Sequence, residues 1–203
     1  MTCRIHLASN NKKKLQELDR ILVAAGIEGV EILPLSEVPS YPEPIEDGES
    51  FADNALIKAR AGAAATGLPT IADDSGLTVQ ALNGMPGIFS ARWSGQHGDD
   101  AANNELLLAQ LADLPDERRR AAFVSACVLV IPDGENVVSE GEWEGRLLRA
   151  PRGENGFGYD PLFVPDGGDG RTAAEMSADE KDACSHRAQA LAGLLPHLRL
   201  LAG

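Results

Sequence analysis

The sequence predicts a single α/β domain spanning residues 1–203. Three observations carry that prediction. Short apolar runs of strand character alternate with stretches of helical spacing from one end of the chain to the other. No clean boundary separates strand-rich from helix-rich parts, which argues for one mixed domain. Hydrophobic residues are 43% and charged residues 24%, ordinary globular usage, while aromatics are only 4%, so the core is expected to be aliphatic. A chain of 203 residues buries enough surface to fold without disulfides or metals.

Each element has a local reason. Residues 4–8 (RIHLA) read as a short buried strand. After SNNKKK, Leu15, Leu18, Ile21, Leu22 and Ala25 recur at helical spacing, and Gly26 stops the helix. Residues 30–35 are a second strand, and the Pro-rich, acidic residues 36–48 a surface loop. Residues 49–67 form an Ala-rich helix, with Ser50 as N-cap and Gly67 as stop. Residues 70–72 are a short apolar strand running into Asp73-Asp74-Ser75-Gly76; residues 77–82 continue extended, and NGMPG turns the chain. Residues 104–114 are another helix. Residues 121–131 (AAFVSACVLVI), nearly all apolar, are the strand expected at the centre of the sheet. Residues 136–149 are one or two strands, and PRGENGFGYDPLF is a Gly-rich loop. Ser177 and Glu180 make a capping box that opens one C-terminal helix, SADEKDACSHRAQALAGLL.

Charge and cysteine content exclude several classes. With 18 basic and 31 acidic residues the net charge is −13, the wrong sign for a protein that lives on nucleic acid or an anionic membrane. No apolar run reaches the length of a membrane span, and no signal-peptide pattern opens the chain. Cys3, Cys127 and Cys184 are odd in number and far apart, which speaks against a disulfide framework or zinc site and for a reduced, cytoplasmic setting.

Four polar clusters could carry chemistry. Ser9 to Lys14 lie between a strand and a helix N-terminus, where backbone N–H groups and Lys14 suit a phosphate chain, although a solvated basic turn fits as well. Glu46 precedes a helix on which Asn54 and Lys58 share a face at i, i+4; a surface polar pair is the bland alternative. Asp73 and Asp74 end an apolar strand, a costly place for two carboxylates unless they are solvated, paired or on a cation such as Mg²⁺. Phe157, Gly158, Tyr159 and Asp160, followed by Lys181, Ser185, His186 and Arg187, could stack a base and donate to it, or could be loop anchors and helix surface. Together they describe a nucleotide site in an otherwise acidic protein.

LASNNKKKLQEL, EDGESFADNALIKA, IADDSGLTVQALNGMPGIFSARWSG, GFGYDPLFVP and TAAEMSADEKDACSHRAQAL occur in this order over almost the whole chain. In these segments the chain resembles the inosine triphosphate pyrophosphatase family. The resemblance implies a mixed twisted sheet with flanking helices, in two lobes around a central substrate groove. It implies Mg²⁺-dependent hydrolysis of ITP, dITP and XTP to the monophosphate and pyrophosphate by a homodimer. By motif, Ser9, Asn11 and Lys14 fall on the triphosphate, Glu46 and Asp74 on the metal, and Asp74 on the proton acceptor. Ser75, Phe157, Gly158, Tyr159, Asp160, Lys181, His186 and Arg187 fall on the rest of the substrate. Asp73 is expected to orient water or metal rather than to bind directly. Ser9-Asn10 stands where many members have Thr-Gly. A pyrophosphatase for other modified nucleotides and a non-catalytic nucleotide-binding regulator are the rival readings.

Overall fold

The computed structural model describes residues 2–203, and its first strand, β1 (Cys3–Leu7), buries Ile5, His6 and Leu7. Asn11 ends the polar turn that follows and caps α1 (Lys12–Ala24), its side chain accepting the Lys13 N–H at 2.9 Å. β2 (Val30–Leu33) returns parallel to β1, from Cys3↔Val30 to His6↔Leu33. α2 (Phe51–Thr66) is capped by Ser50 and ends at Gly67, whose φ of +68° is left-handed backbone that glycine adopts without strain. β3 (Thr70–Val79) then pairs parallel to β1 through His6↔Thr70 and Leu7↔Ile71.

α3 (Asp100–Gln110), β4 (Arg120–Val130) and β5 (Asn136–Leu147) follow, and β6 (Phe163–Pro165) pairs antiparallel to β5. The six strands form one mixed sheet in the order β2-β1-β3-β4-β5-β6. α4 (Ala178–Asp182) and α5 (His186–Ala202) close the chain.

The contacts divide the chain into two compact units. The first comprises residues 2–74, 125–141 and 187–203. Its core sets Ile5, Leu7, Leu18 and Leu22 against Leu129 and the α5 residues Leu191, Leu194 and Leu198. A second layer is almost pure alanine: Ala55, Ala59 and Ala63 recur every fourth residue on α2 and meet Ala72, Val128 and Val130. Small side chains there let helix and strand approach closely. The second unit, residues 75–124 and 142–186, has its own core, with Leu77, Leu107, Leu111, Phe123, Trp143, Leu162 and Phe163.

Four local expectations are corrected. β3 does not stop at Ala72; it runs to Val79, so Asp73 and Asp74 are the fourth and fifth residues of a ten-residue strand. Residues 80–82 form a short 3₁₀ helix instead of extended chain. α3 begins at Asp100, four residues early, because Asp99 caps it by accepting the Ala102 N–H. The C-terminal helix is two helices. The Ser177–Glu180 capping box does open α4, but α4 ends after one turn and α5 starts anew at His186, behind Ser185, a residue type that favours helix starts. Residues 136–147 form one strand.

Gly62 shows how tightly α2 sits. A Cβ there would lie 2.8 Å from Thr70 Cγ2, 2.9 Å from His6 Cδ2 and 3.1 Å from the Tyr41 hydroxyl. Gly62→Val should therefore destabilise the fold by about 1–3 kcal/mol through overpacking, outweighing the few tenths of a kcal/mol or so that valine gains over glycine in a helix. The urea midpoint of the variant measures this; an unchanged midpoint contradicts the packing described.

Candidate active site

Successive side chains on a strand point to opposite faces, so β3 sends Asp73 and Asp74 into different surroundings. Asp73 is 6% exposed. Its Oδ2 lies 2.8 Å from Lys14 Nζ and accepts the Arg187 Nε–H at 3.1 Å. Arg187 Nη1 also donates to Glu17 Oε2 at 2.8 Å. Lys14 and Glu17 stand at i, i+3 on α1 and hence on one helix face. The cluster holds two carboxylates and two cations. Burial by itself would raise the Asp73 carboxyl; the Lys14 and Arg187 charges outweigh it and hold that group well below the usual carboxylate range. Burial likewise works against the Arg187 charge, but Asp73 and Glu17 push the guanidinium above its ordinary value.

Asp74 meets α2 and the acidic loop. Lys58 Nζ lies 3.4 Å from Asp74 Oδ1 and 3.2 Å from Glu46 Oε1. Asn54, one turn earlier on the same face, donates from Nδ2 to Asp74 Oδ2 at 3.3 Å and accepts the Gly48 N–H at 2.9 Å. Asn54 thus ties the end of the Glu46 loop to the Asp74 carboxylate. Here burial prevails: it raises the Asp74 carboxyl above its ordinary value, Lys58 opposes it, and the Glu46 charge adds to it. Burial disfavours the Lys58 ammonium, but Asp74, Asp73 and Glu46 together raise its pKa. Two neighbouring carboxylates are therefore driven apart in proton affinity, Asp73 downward and Asp74 upward. Ser9 Oγ accepts the Asn11 N–H at 3.1 Å, fixing the turn before α1.

A second group lies within the second unit. Asp160 Oδ2 accepts the Phe157 N–H at 2.8 Å and pairs with Lys181 Nζ at 2.6 Å. The same ammonium sits 5.1 Å from the centre of the Phe157 ring. The buried Tyr159 donates its hydroxyl to Ser90 O at 2.9 Å. His186 is buried and stacks on Phe123, ring centres 5.0 Å apart and 14° from parallel. Tyr159 and Asp160 thus anchor the GFGYD loop, whereas Phe157 is 39% exposed. Ser75 follows Asp74 on β3 and is partly buried.

The structure thus brings Lys14, Asp73 and Arg187 together, and Glu46 with Asp74. Arg187, expected at the base beside His186, has its guanidinium on Asp73 and Glu17. Three groups stand outside the expected site residues. Asn54 and Lys58 were visible as a helix-face pair, but nothing in the sequence says that the face turns toward Asp74. Glu17 has one sequence signal, its spacing of three from Lys14.

Residues 5–197 match the Ham1 family model. The chain belongs to the Ham1 family. This Ham1 chain is 65% identical over 202 residues to the dITP/XTP pyrophosphatase of Corynebacterium glutamicum strain R, with 98% of both chains covered. It is 65% identical over 198 residues to the protein of the same name from Mycobacteroides abscessus, covering 98% and 96% of the two chains. Among solved structures, the nucleoside-triphosphatase (dITP/XTP pyrophosphatase) of Mycobacterium abscessus gives a TM-score of 0.79 over 97% of this chain and all of that one, at 65% identity. A HAM1 protein from Coxiella burnetii gives 0.86 at 43% identity, covering 97% and 98%.

The ion cluster makes a stability prediction. Arg187→Met leaves Glu17 and Asp73 buried without their guanidinium and should cost about 3–5 kcal/mol. Lys14→Met should cost clearly less, because the Lys14 side chain is 16% exposed against 4% for Arg187. Chemical denaturation of both variants gives the comparison; equal losses would remove Arg187 from the centre of the cluster.

Proposed function

We propose that this chain hydrolyses non-canonical purine nucleoside triphosphates (dITP, XTP and ITP) to the monophosphate and pyrophosphate. The observation that carries this is the division of labour between Asp73 and Asp74: adjacent carboxylates, one locked with Lys14 and Arg187, the other with a raised pKa beside Lys58 and Glu46. The names borne by the relatives at 65% identity support it.

Asp74 is the proton acceptor for the water that attacks the α-phosphorus. A raised pKa suits a general base, because it strengthens proton affinity. Lys14, with Ser9 and Asn11 at the start of α1, grips the phosphate chain and meets the charge that grows on the leaving pyrophosphate. Asp73 holds the Lys14 ammonium in place at 2.8 Å.

The residues present fit Mg²⁺. Glu46 and Asp74 are hard oxygen donors, and both already face a cation, the Lys58 ammonium. Among the described residues no three His, Cys, Asp or Glu side chains converge into a cage. One or two carboxylates, completed by substrate phosphates, is how proteins usually bind Mg²⁺. Bound by Glu46 and Asp74, the ion would supply neutralising charge to the phosphates.

Phe157 stacks on the base, flanked by Gly158, Tyr159 and Asp160, while Lys181 and His186 supply donors; Ser75 contacts the substrate. Hypoxanthine and xanthine present a carbonyl at position 6, where adenine presents an amino group. Donors facing that amino group stay unpaired, at about 1–3 kcal/mol each, which is enough to reject adenine. Arg187 is assigned to Asp73 and Glu17 rather than to the base edge. We read residues 1–203 as one functional domain, since the family model runs through residues 5–197. A cytoplasmic homodimer without nucleic-acid or membrane partners completes the reading. It is supported by the family resemblance, the −13 charge and three free cysteines.

Pyrophosphate release from dITP, XTP, ITP, dGTP and dATP, with Mg²⁺ and with excess chelator, tests the activity. Release is expected from the first three and suppressed by the chelator; equal rates on dATP would overturn the assignment. Asp74→Asn should lower turnover by about 100-fold or more, the scale of a general base. Lys14→Met should lower catalytic efficiency on every substrate in parallel, leaving the dITP-to-dATP ratio nearly constant. A changed ratio would move Lys14 to the base.

A further inference from the structure

Phe157 stands between two peptide planes, and each is held by a different carboxylate. The plane before it is fixed by its own N–H, which donates to Asp160 Oδ2 at 2.8 Å. The plane after it contains the Gly158 N–H, which donates to Asp100 Oδ2 at 2.7 Å. Gly158 is gripped on its other side as well: its carbonyl accepts from Asn104 Nδ2 at 2.8 Å. Asp100 and Asn104 are i and i+4 on α3, so one helix face presents an acceptor and a donor to a single residue. The Asn104 amide is itself oriented, because Nδ2 also donates to the Asp100 carbonyl at 2.9 Å.

Gly158 has φ of +62°, and nothing lies within 4 Å of the place a Cβ would occupy. Two hydrogen bonds from α3 grip it, while the Asp160 N–H donates to the Phe157 carbonyl of the preceding plane at 3.3 Å. With both flanking planes fixed, the Phe157 backbone has little freedom, yet the residue remains 39% exposed, with the Lys181 ammonium 5.1 Å from its ring centre. An aromatic ring kept out of the core on a pinned backbone is prearranged for a flat partner.

We propose that Asp100 and Asn104 are positioning residues for the purine base, acting through Gly158 to set where the Phe157 ring stands. This rests on the reading of Phe157 as the stacking surface. A purely structural role for Asp100 is the competing explanation, since an acidic residue in the first turn of a helix is favourable in any case.

The test measures kcat and KM for dITP together with the inhibition constant of inorganic tripolyphosphate, which has phosphates but no base. Asp100→Ala and Asn104→Ala should each raise KM for dITP about tenfold, within what one stacked base contributes, with kcat and tripolyphosphate inhibition unchanged. Asp100→Asn still offers an oxygen to the Gly158 N–H and should restore most of the affinity. Alanine at 104 raises helix propensity, so that variant reports even where Asp100→Ala folds poorly. Phe157→Ala serves as the control. If it raises KM while both α3 variants leave KM alone, the proposal fails and the stacking role stands. If Phe157→Ala leaves KM unchanged, the stacking role fails and takes the proposal with it. Parallel weakening of dITP and tripolyphosphate in the α3 variants would also overturn the proposal, since it would mark a general disturbance of the site.

Discussion

A carboxylate facing inward from the middle of a strand is tolerable only if opposite charge reaches it, and Asp73 sets that requirement for the whole first unit. Lys14 from α1 and Arg187 from the start of α5 both converge on it, and Glu17 balances the second cation. The helices that carry these groups also bring Leu18, Leu22, Leu191 and Leu194 into one core. Apolar packing and charge compensation thus pull the same elements to the same place. Because the cluster is neutral in sum, Lys14 can be held rigidly without leaving an excess of buried charge.

The same strand explains how one short sequence supplies two carboxylates of different character. Strand alternation turns adjacent aspartates toward opposite faces, so their nearest partners differ. One faces two cations at short range. The other faces a single ammonium at 3.4 Å, shared with Glu46, and an amide. Their difference in proton affinity needs no unusual residue type; it follows from backbone geometry and from which helix lies on each face.

Much of this was legible in the sequence, for identifiable reasons. Strands and helices with strong periodicity, such as α2 and β4, fall within a residue or two of where spacing and caps put them. Local polar signals also read correctly: the Ser50 cap and the Ser177–Glu180 box are both formed. What failed depended on tertiary partners. The apolar signal of β3 ends at Ala72, yet the strand runs on through Asp73-Asp74-Ser75-Gly76 to Val79. The break between α4 and α5 is marked by a single serine. The family resemblance places Arg187 at the base with His186, whereas the first helical turn sends the two side chains different ways, one stacked on Phe123 and the other onto Asp73 and Glu17. Nothing local marks Asp100, and only its spacing from Lys14 marks Glu17, because their partners lie 58 and 170 positions away.

The first unit is assembled from three separate stretches of chain, the last of them residues 187–203. A ribosome therefore delivers Glu17 and Asp73 long before Arg187. Until residues 187–203 are made, those two acids lack the Arg187 guanidinium, and the Leu18–Leu22 side of the core has no α5 to cover it. The nascent chain cannot close this unit from its N-terminal end. Residues 187–203 complete both its charge balance and its apolar seal, so the unit closes in one long-range step.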